Sequence, residues 1–146
     1  MQTKVFIKKT DARAILPTYG SEYAAGADLY ALTDEPVQLA PHTTAFLHTG
    51  IAMELPQGLV GLVFARSGLA CKQDLAPANK VGVIDCDYRG EIMVAMHNHG
   101  SEVKIIENGE RIAQLVITPY VTALFEEKDS LSETVRSDGG FGSTGK

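Results

Sequence analysis

The stretch "EIMVAMHN" (residues 91–98) alternates. Ile92, Val94 and Met96 fall on one side of an extended chain, and Met93, Ala95 and His97 fall on the other. Successive strand side chains point to opposite faces, so this period of two predicts a half-buried strand. Similar short apolar stretches lie on either side of it. "KVFIK" (4–8), "ADLYA" (27–31), "TTAFLHTGIAMEL" (43–55), "LVGLVFA" (59–65) and "VGVI" (81–84) precede it, and "EVKII" (102–106), "RIAQLVI" (111–117) and "YVTALFEE" (120–127) follow. Gly, Pro, Asn or Asp separate them. No stretch carries a helix-length apolar stripe, and only "SGLACKQD" (67–74) predicts a short helical turn. Short strands broken by turn residues predict an all-β fold, an antiparallel β-sandwich or jelly roll (distorted β-barrel).

The chain has 146 residues, enough for one domain with a core that needs no disulfide or structural metal. Its formal net charge of −5 argues against binding nucleic acid over a broad basic surface. The same charge sets a condition on any phosphate-bearing ligand: positive charge must be concentrated locally or supplied by a metal ion. Cys71 and Cys86 form no C-x-x-C unit and are expected to behave as small apolar residues. No basic start leads into an apolar stretch, and no run approaches 18 apolar residues. No membrane partner is therefore expected, and the expected compartment is the cytoplasm, with reduced thiols.

Composition divides the chain into a β domain over residues 1–127 and an arm over residues 128–146. In the arm the only large apolar residues are Leu131, Val135 and Phe141. Such a segment buries too little surface to offset its ordering entropy, so a mobile arm is expected. It ends in "GGFGSTGK" (139–146), of which residues 140–146 fit most of a phosphate-binding P-loop. The context does not fit. A P-loop needs a strand before it and a helix after it, and the hydroxyl residue due after the lysine is missing. A lone aromatic among Gly, Ser and Thr suits a segment that closes over a ligand, the ring stacking on a planar group while amides and hydroxyls reach phosphate oxygens.

Several stretches place polar groups where a strand pattern has no use for them. "AAGADLYA" (24–31) sets Asp28 inside an apolar strand, where it needs a partner, a metal or a hydrated cavity. "NGERIAQLVI" (108–117) sets Gln114 among apolar neighbours, with Arg111 as a phosphate contact or an ion-pair partner. "ARSGLA" (65–70) follows a strand with Arg66, whose planar head suits phosphate, and with Ser67. "GVIDCDYRGE" (82–91) predicts a hairpin in which Asp85 or Asp87 either caps the turn or serves as a general base for water. In "HNHG" (97–100), His97 and His99 can share one side of a strand, but no third ligand is near, and a solvated strand end is expected.

These stretches, in this order and together with "RSDGGFGSTG" (136–145), resemble the five motifs of the trimeric deoxyuridine triphosphate nucleotidohydrolases, the dUTPase family. "LPTYGSEYAAG" (16–26) is similar to the family's lead into its first motif. The resemblance implies a jelly-roll homotrimer with active sites shared between subunits and Mg²⁺ carried by the substrate triphosphate. The implied reaction is dUTP plus water giving dUMP and pyrophosphate, which keeps uracil out of DNA and supplies dUMP for thymidylate synthesis. By the same resemblance Asp85 activates the attacking water and the Tyr88 ring packs on the deoxyribose. Asn79, Gly82, Val83, Ile84, Asp85 and Met93 form the uracil and sugar pocket. Arg66, Ser67 and Gly68 hold phosphates. Asp28 and Gln114 hold the hydrated metal. Phe141 stacks on the base with Gly142 beside it, and Arg136, Ser143 and Thr144 reach the phosphates from a neighbouring subunit's arm. The chain departs from the pattern at Ser137, where the family commonly has Gly, and at Asp138.

The chemistry is coherent from below, since phosphoryl transfer needs mainly positioning and charge stabilisation. Two other readings stand beside it. One is a dCTP deaminase, or a bifunctional deaminase that proceeds to dUMP, which needs a glutamate base and a cytosine pocket. The other is a non-catalytic jelly-roll binding protein, which leaves the ordered polar set without a purpose.

Overall fold

The computed structural model of the chain describes residues 3–140. Its architecture is an all-β jelly roll of open sheets with one short helix, and the sheets do not close into a barrel. The largest sheet has five strands in the order β2 (Thr18–Tyr19), β3 (Ala27–Tyr30), β12 (Arg111–Pro119), β7 (Leu59–Phe64) and β9 (Val81–Ile84). A three-stranded sheet places β10 (Met93–Asn98) between β5 (Thr44–His48) and β8 (Leu75–Pro77). Two antiparallel pairs complete the body: β1 (Phe6–Lys9) with β6 (Ile51–Glu54), and β4 (Val37–Leu39) with β11 (Lys104–Ile106). The helix α1 (Ser67–Gln73) lies where the sequence predicts a helical turn, and Asp74 ends it in the left-handed conformation at φ 57°.

The alternation that predicts β10 is realised in its burial. Ile92, Val94 and Met96 are fully buried, while Met93 faces outward. They join Leu29, Leu47, Val63, Leu75, Ile112 and Leu115 in one core fed by both large sheets. Burying side chains of this size contributes roughly 1.5–3 kcal/mol each before entropy is counted. The long run "TTAFLHTGIAMEL" divides at Gly50, which turns the chain from β5 into β6 at φ 67°. A Cβ there would sit 2.6 Å from Leu32 Cδ2 and 2.7 Å from the Ala14 Cβ, so the turn requires glycine on both counts.

Register explains the two faces of the large sheet. Residues directly opposite across strands share a face. Ala27, Leu115, Val63 and Gly82 form a row toward the core. Thr18, Asp28, Gln114, Phe64 and Val81 form the adjacent row on the other face. The polar residues that looked misplaced in apolar strands therefore avoid the core by parity.

Two expectations need correction. The apolar run over residues 120–127 forms no strand, and Val121, Leu124 and Phe125 are almost fully exposed. The Tyr120 N–H donates to the Gly58 carbonyl at 3.2 Å, but among the described residues no strand pairs with the run beyond it. Cys71 is exposed rather than packed, whereas Cys86 lies against the core, and both are free thiols. Strands β2, β4 and β8 carry too few residues to show a period in the sequence. No helix among the described residues is long and apolar enough to cross a membrane.

Asn98 continues the buried face of β10 with a polar side chain that is 0% exposed. Its Nδ2 donates to the carbonyls of Leu39 (3.0 Å) and Glu102 (2.7 Å), and its Oδ1 accepts from the Gly100 N–H (2.9 Å). Replacing it with Leu leaves these groups unpaired. Asn98→Leu should destabilise the fold by about 3 kcal/mol, read from urea denaturation, and a loss below about 1 kcal/mol would contradict this account.

Candidate active site

The strands flanking residues 85–92 do not pair with each other. β9 pairs only with β7, and β10 pairs with β5 and β8. The expected hairpin is splayed, with its two arms in different sheets. β9 is thus an edge strand, and half of its backbone N–H and C=O groups point away from β7 into the gap.

A cleft of about 250 Å³ occupies that gap, lined by Phe46, Asn79, Val83, Ile84, Asp85, Tyr88, Glu91, Ile92, Met93 and Ala95. A narrower recess of about 80 Å³ continues from it past Pro77, Gly82 and Val94. Asn79, Gly82, Val83, Ile84, Asp85, Tyr88 and Met93, all singled out in the sequence, meet here. Gly82 has a packing reason as well. A Cβ on it would stand 3.2 Å from the Val63 Cβ and 3.3 Å from Asn79 Nδ2, so glycine lets Asn79 lie close against β9. A planar ring entering the recess would meet apolar walls and unpaired backbone groups. That combination suits a small planar ligand with polar edges.

Asp85 follows the last residue of β9 and is exposed. Its carbonyl accepts the Tyr88 N–H at 3.1 Å, which closes the turn. The Tyr88 ring folds back over Gly90, where a Cβ would overlap its hydroxyl, and that hydroxyl donates to the Glu91 carbonyl at 2.9 Å. Arg89 braces the turn from outside through the Cys86 carbonyl at 2.7 Å.

The remaining polar residues gather on the outer face of the large sheet. Asp28 Oδ1 accepts from Arg66 Nε at 2.7 Å, and Oδ2 lies 3.4 Å from Arg111 Nη1. Arg66 also donates to the Arg111 carbonyl at 3.2 Å. The partner that Asp28 needs is therefore an arginine pair, and Arg111 is an ion-pair partner. Gln114, opposite Asp28 in register, donates from Nε2 to the Ala65 carbonyl at 2.8 Å. Ser67 and Gly68 open α1, are exposed, and have no side-chain cap over the first-turn amides. Arginine heads beside free amides suit phosphate oxygens.

These two groups lie apart. Gly61 pairs with Ile84, so Asp85 sits beside the start of β7, while Arg66 lies beyond its end. About six residues of extended chain separate them, roughly 20 Å. Arg136 lies in the arm, its Nε donating to the Gly139 carbonyl at 2.9 Å. Ser137 takes φ 47°, a conformation that favours the glycine the resemblance leads one to expect there. Phe141, Gly142, Ser143 and Thr144 lie outside the described residues.

Two other features carry no comparable arrangement. A groove of about 740 Å³ is lined by Asp11, Arg13, Asp34, Glu35 and His48 among others. Two of its carboxylates are paired with one arginine: Arg13 bonds both Asp11 (2.8 Å) and Asp34 (2.6 Å). His97 and His99 stand edge to face at 4.4 Å, but Thr44 Oγ1 holds His97 Nδ1 at 2.9 Å. Lys80 Nζ approaches His99 Nε2 at 3.4 Å, which places a cation where a metal would have to sit. No group of three or more His, Cys, Asp or Glu among the described residues is placed to hold a metal ion.

Phe46, Glu91 and Ala95 line the cleft without having been singled out in the sequence. Phe46 is 68% exposed, and its outward parity beside buried Leu47 was the available signal. Glu91 gave none, because its role depends on His48 and Gly50, more than forty residues away.

The dUTPase family model matches residues 12–145. A deoxyuridine 5'-triphosphate nucleotidohydrolase of Desulfitobacterium hafniense is 49% identical over 146 residues, 99% of this chain and 97% of that protein. One from Rickettsia massiliae is 46% identical over 144 residues, 98% and 97% of the two chains. The structure of a Staphylococcus bacteriophage 80alpha dUTPase with dUPNHPP superposes with a TM-score of 0.90 at 29% identity, covering 99% of this chain and all of that one.

Burial pushes the Glu91 carboxyl up, but hydrogen bonds from His48 and the Gly50 N–H outweigh it and hold the group below its usual value. A carboxylate depressed in the native state adds stability that is fully present above its unfolded pKa of about 4.3 and is lost as pH falls through the native value. Glu91→Gln should therefore lower Tm at near-neutral pH, and its gap from the parent should close as pH drops from about 5 toward about 3. Thermal melts across that range measure it; a gap independent of pH contradicts it.

Proposed function

The chain belongs to the dUTPase family, and from that premise we propose that it hydrolyses dUTP to dUMP and pyrophosphate. The observation that carries this reading is the cleft beside the free edge of β9, with Asp85 at its end and Tyr88 across its mouth. Uracil enters the recess and is read by backbone groups of residues 82–84 and by Asn79. Met93 and Ala95 form its walls and would exclude a thymine methyl. Rejection must be steric, because a methyl accommodated in a loose pocket changes binding by only about 1–3 kcal/mol. The Tyr88 ring packs on the deoxyribose where a 2′-hydroxyl would collide. Asp85 accepts the proton of a water whose oxygen bonds the α-phosphorus, and the bond to the bridging oxygen breaks, releasing pyrophosphate.

Arg66, Ser67 and Gly68 are proposed to hold phosphates. Asp28 and Gln114 are adjacent oxygen donors, and both are engaged by other groups through only part of their capacity. That donor set fits a hydrated Mg²⁺ held mainly by the triphosphate, as Mg²⁺ keeps several waters rather than entering a protein cage. The ion would offset phosphate charge that a chain of net charge −5 repels.

The separation of Asp85 from Arg66 supports a shared site: one subunit offers the base cleft and another the phosphate residues. A homotrimer closes such a heterologous contact into a ring. The exposed Leu131 and Val135 support an arm, residues 128–146, that is covered by a neighbouring subunit, and the exposed Val121, Leu124 and Phe125 just before it extend the same apolar surface. On this reading Arg136, Ser143 and Thr144 reach the phosphates and Phe141 stacks on uracil, excluding bulk water as the arm closes. The cytoplasm is the proposed compartment.

Pyrophosphate release from dUTP, dTTP, dCTP and UTP, with Mg²⁺ and with EDTA, tests the function. Metal-dependent release from dUTP alone is expected, and Asp85→Asn should lower turnover about 10³-fold while nucleotide binding persists. Equal release from all four, or ammonia from dCTP, defeats the proposal.

Deleting residues 136–146 should leave a folded protein with turnover lowered about 100-fold. Co-expressing that deletion with Asp85→Asn should restore part of the activity, since an intact Asp85 and an intact arm then meet from different chains. No recovery in mixed oligomers contradicts the shared site.

A further inference from the structure

We propose that Glu91 is a positioning residue for Tyr88 and thereby sets the preference for 2′-deoxynucleotides over ribonucleotides. The inference rests on the reading of Tyr88 as the sugar-facing ring of a dUTP site. Steric rejection of one hydroxyl works only if the wall cannot yield, so the question is what keeps the Tyr88 ring from moving. Tyr88 is 44% exposed, and packing alone does not hold it. Its side-chain hydrogen bond goes to the Glu91 carbonyl, at 2.9 Å.

Glu91 is in turn fixed from the core side. Its Oε1 accepts the Gly50 N–H at 2.8 Å, and its Oε2 accepts from His48 Nδ1 at 2.9 Å. The next residue is clamped to the same turn: the Ile92 N–H donates to the Ile51 carbonyl at 2.9 Å, and the Thr49 hydroxyl donates to the Ile92 carbonyl. The turn is itself rigid. Gly50 has no room for a side chain between Leu32 and Ala14, and the His48 carbonyl accepts the Leu32 N–H at 2.8 Å. The relay therefore runs from the buried turn through the Glu91 carboxylate to its carbonyl and on to the tyrosine hydroxyl. The Tyr88 N–H is held separately by the Asp85 carbonyl at 3.1 Å, so loosening Glu91 frees the ring while that backbone bond of the turn remains.

The test is kcat and KM for dUTP and UTP in the full-length protein, its Glu91→Ala, Glu91→Gln and His48→Ala variants, and Glu91→Ala combined with Tyr88→Phe. Glu91→Ala should lower the dUTP:UTP ratio of kcat/KM about tenfold, the effect of losing one hydrogen bond to a charged group. Glu91→Gln, whose amide oxygen still accepts from Gly50, should recover most of the ratio, and His48→Ala should fall between. In the Tyr88→Phe background Glu91→Ala should lower the ratio no further, because its effect runs through the absent hydroxyl. A merely structural role would lower folded yield and scale both substrates equally. An unchanged ratio in both Glu91→Ala and His48→Ala overturns the proposal; if Glu91→Ala does not fold, His48→Ala decides alone. A parent protein that hydrolyses dUTP and UTP alike overturns the underlying reading instead, which is a distinct result.

Discussion

β9 and β10 are consecutive in the chain yet bond to different sheets, and the rest of the site depends on that divergence. Had they paired, the N–H and C=O groups of Val81–Ile84 would have been consumed in a ladder, and no cleft would exist between them. Each strand is instead held by stronger claims elsewhere. β9 is stitched to β7 by four register pairs, and β10 runs between β5 and β8 with its alternate residues in the core. An unpaired edge is normally a liability for association. Here it borders a cleft of about 250 Å³ that Asn79 and Tyr88 help to line.

Electrostatics is organised around the same division. The chain is acidic as a whole, so its positive charge has to be placed rather than spread. Arg66 and Arg111 meet on Asp28, which fixes their heads on the outer face of the large sheet. The cleft, with Asp85 and Glu91 among its lining, and this arginine-bearing face stand at opposite ends of β7. Within one chain they suit a nucleotide's base and its phosphates separately.

Much of this was legible in the sequence. The alternation over residues 91–98 gave the strand and its buried face, and Asp28 and Gln114 announced themselves as polar residues out of place among apolar neighbours. The grouping of Asn79, Gly82–Ile84, Asp85, Tyr88 and Met93 came from the resemblance to the family's motifs, and the structure brings these residues to one cleft. The misreadings share one cause. A hairpin between β9 and β10 and a strand over residues 120–127 are sound from local pattern, but pairing depends on which partner lies alongside, and local pattern does not carry that information.

Glu91 shows the same limit at a single side chain. In the sequence it is one more charged residue after a turn. In the structure it meets His48 and Gly50 across 43 and 41 residues of chain, and its carbonyl supports the ring at the cleft mouth. The sequence by itself determined the strand periodicity, the in–out parity of each residue and the chemical types available to the site, because these are set by neighbours along the backbone. Only the tertiary structure decided which strands pair, which edge stays open and which side chain locks the turn, because those depend on contacts between segments that burial of the common core brings together.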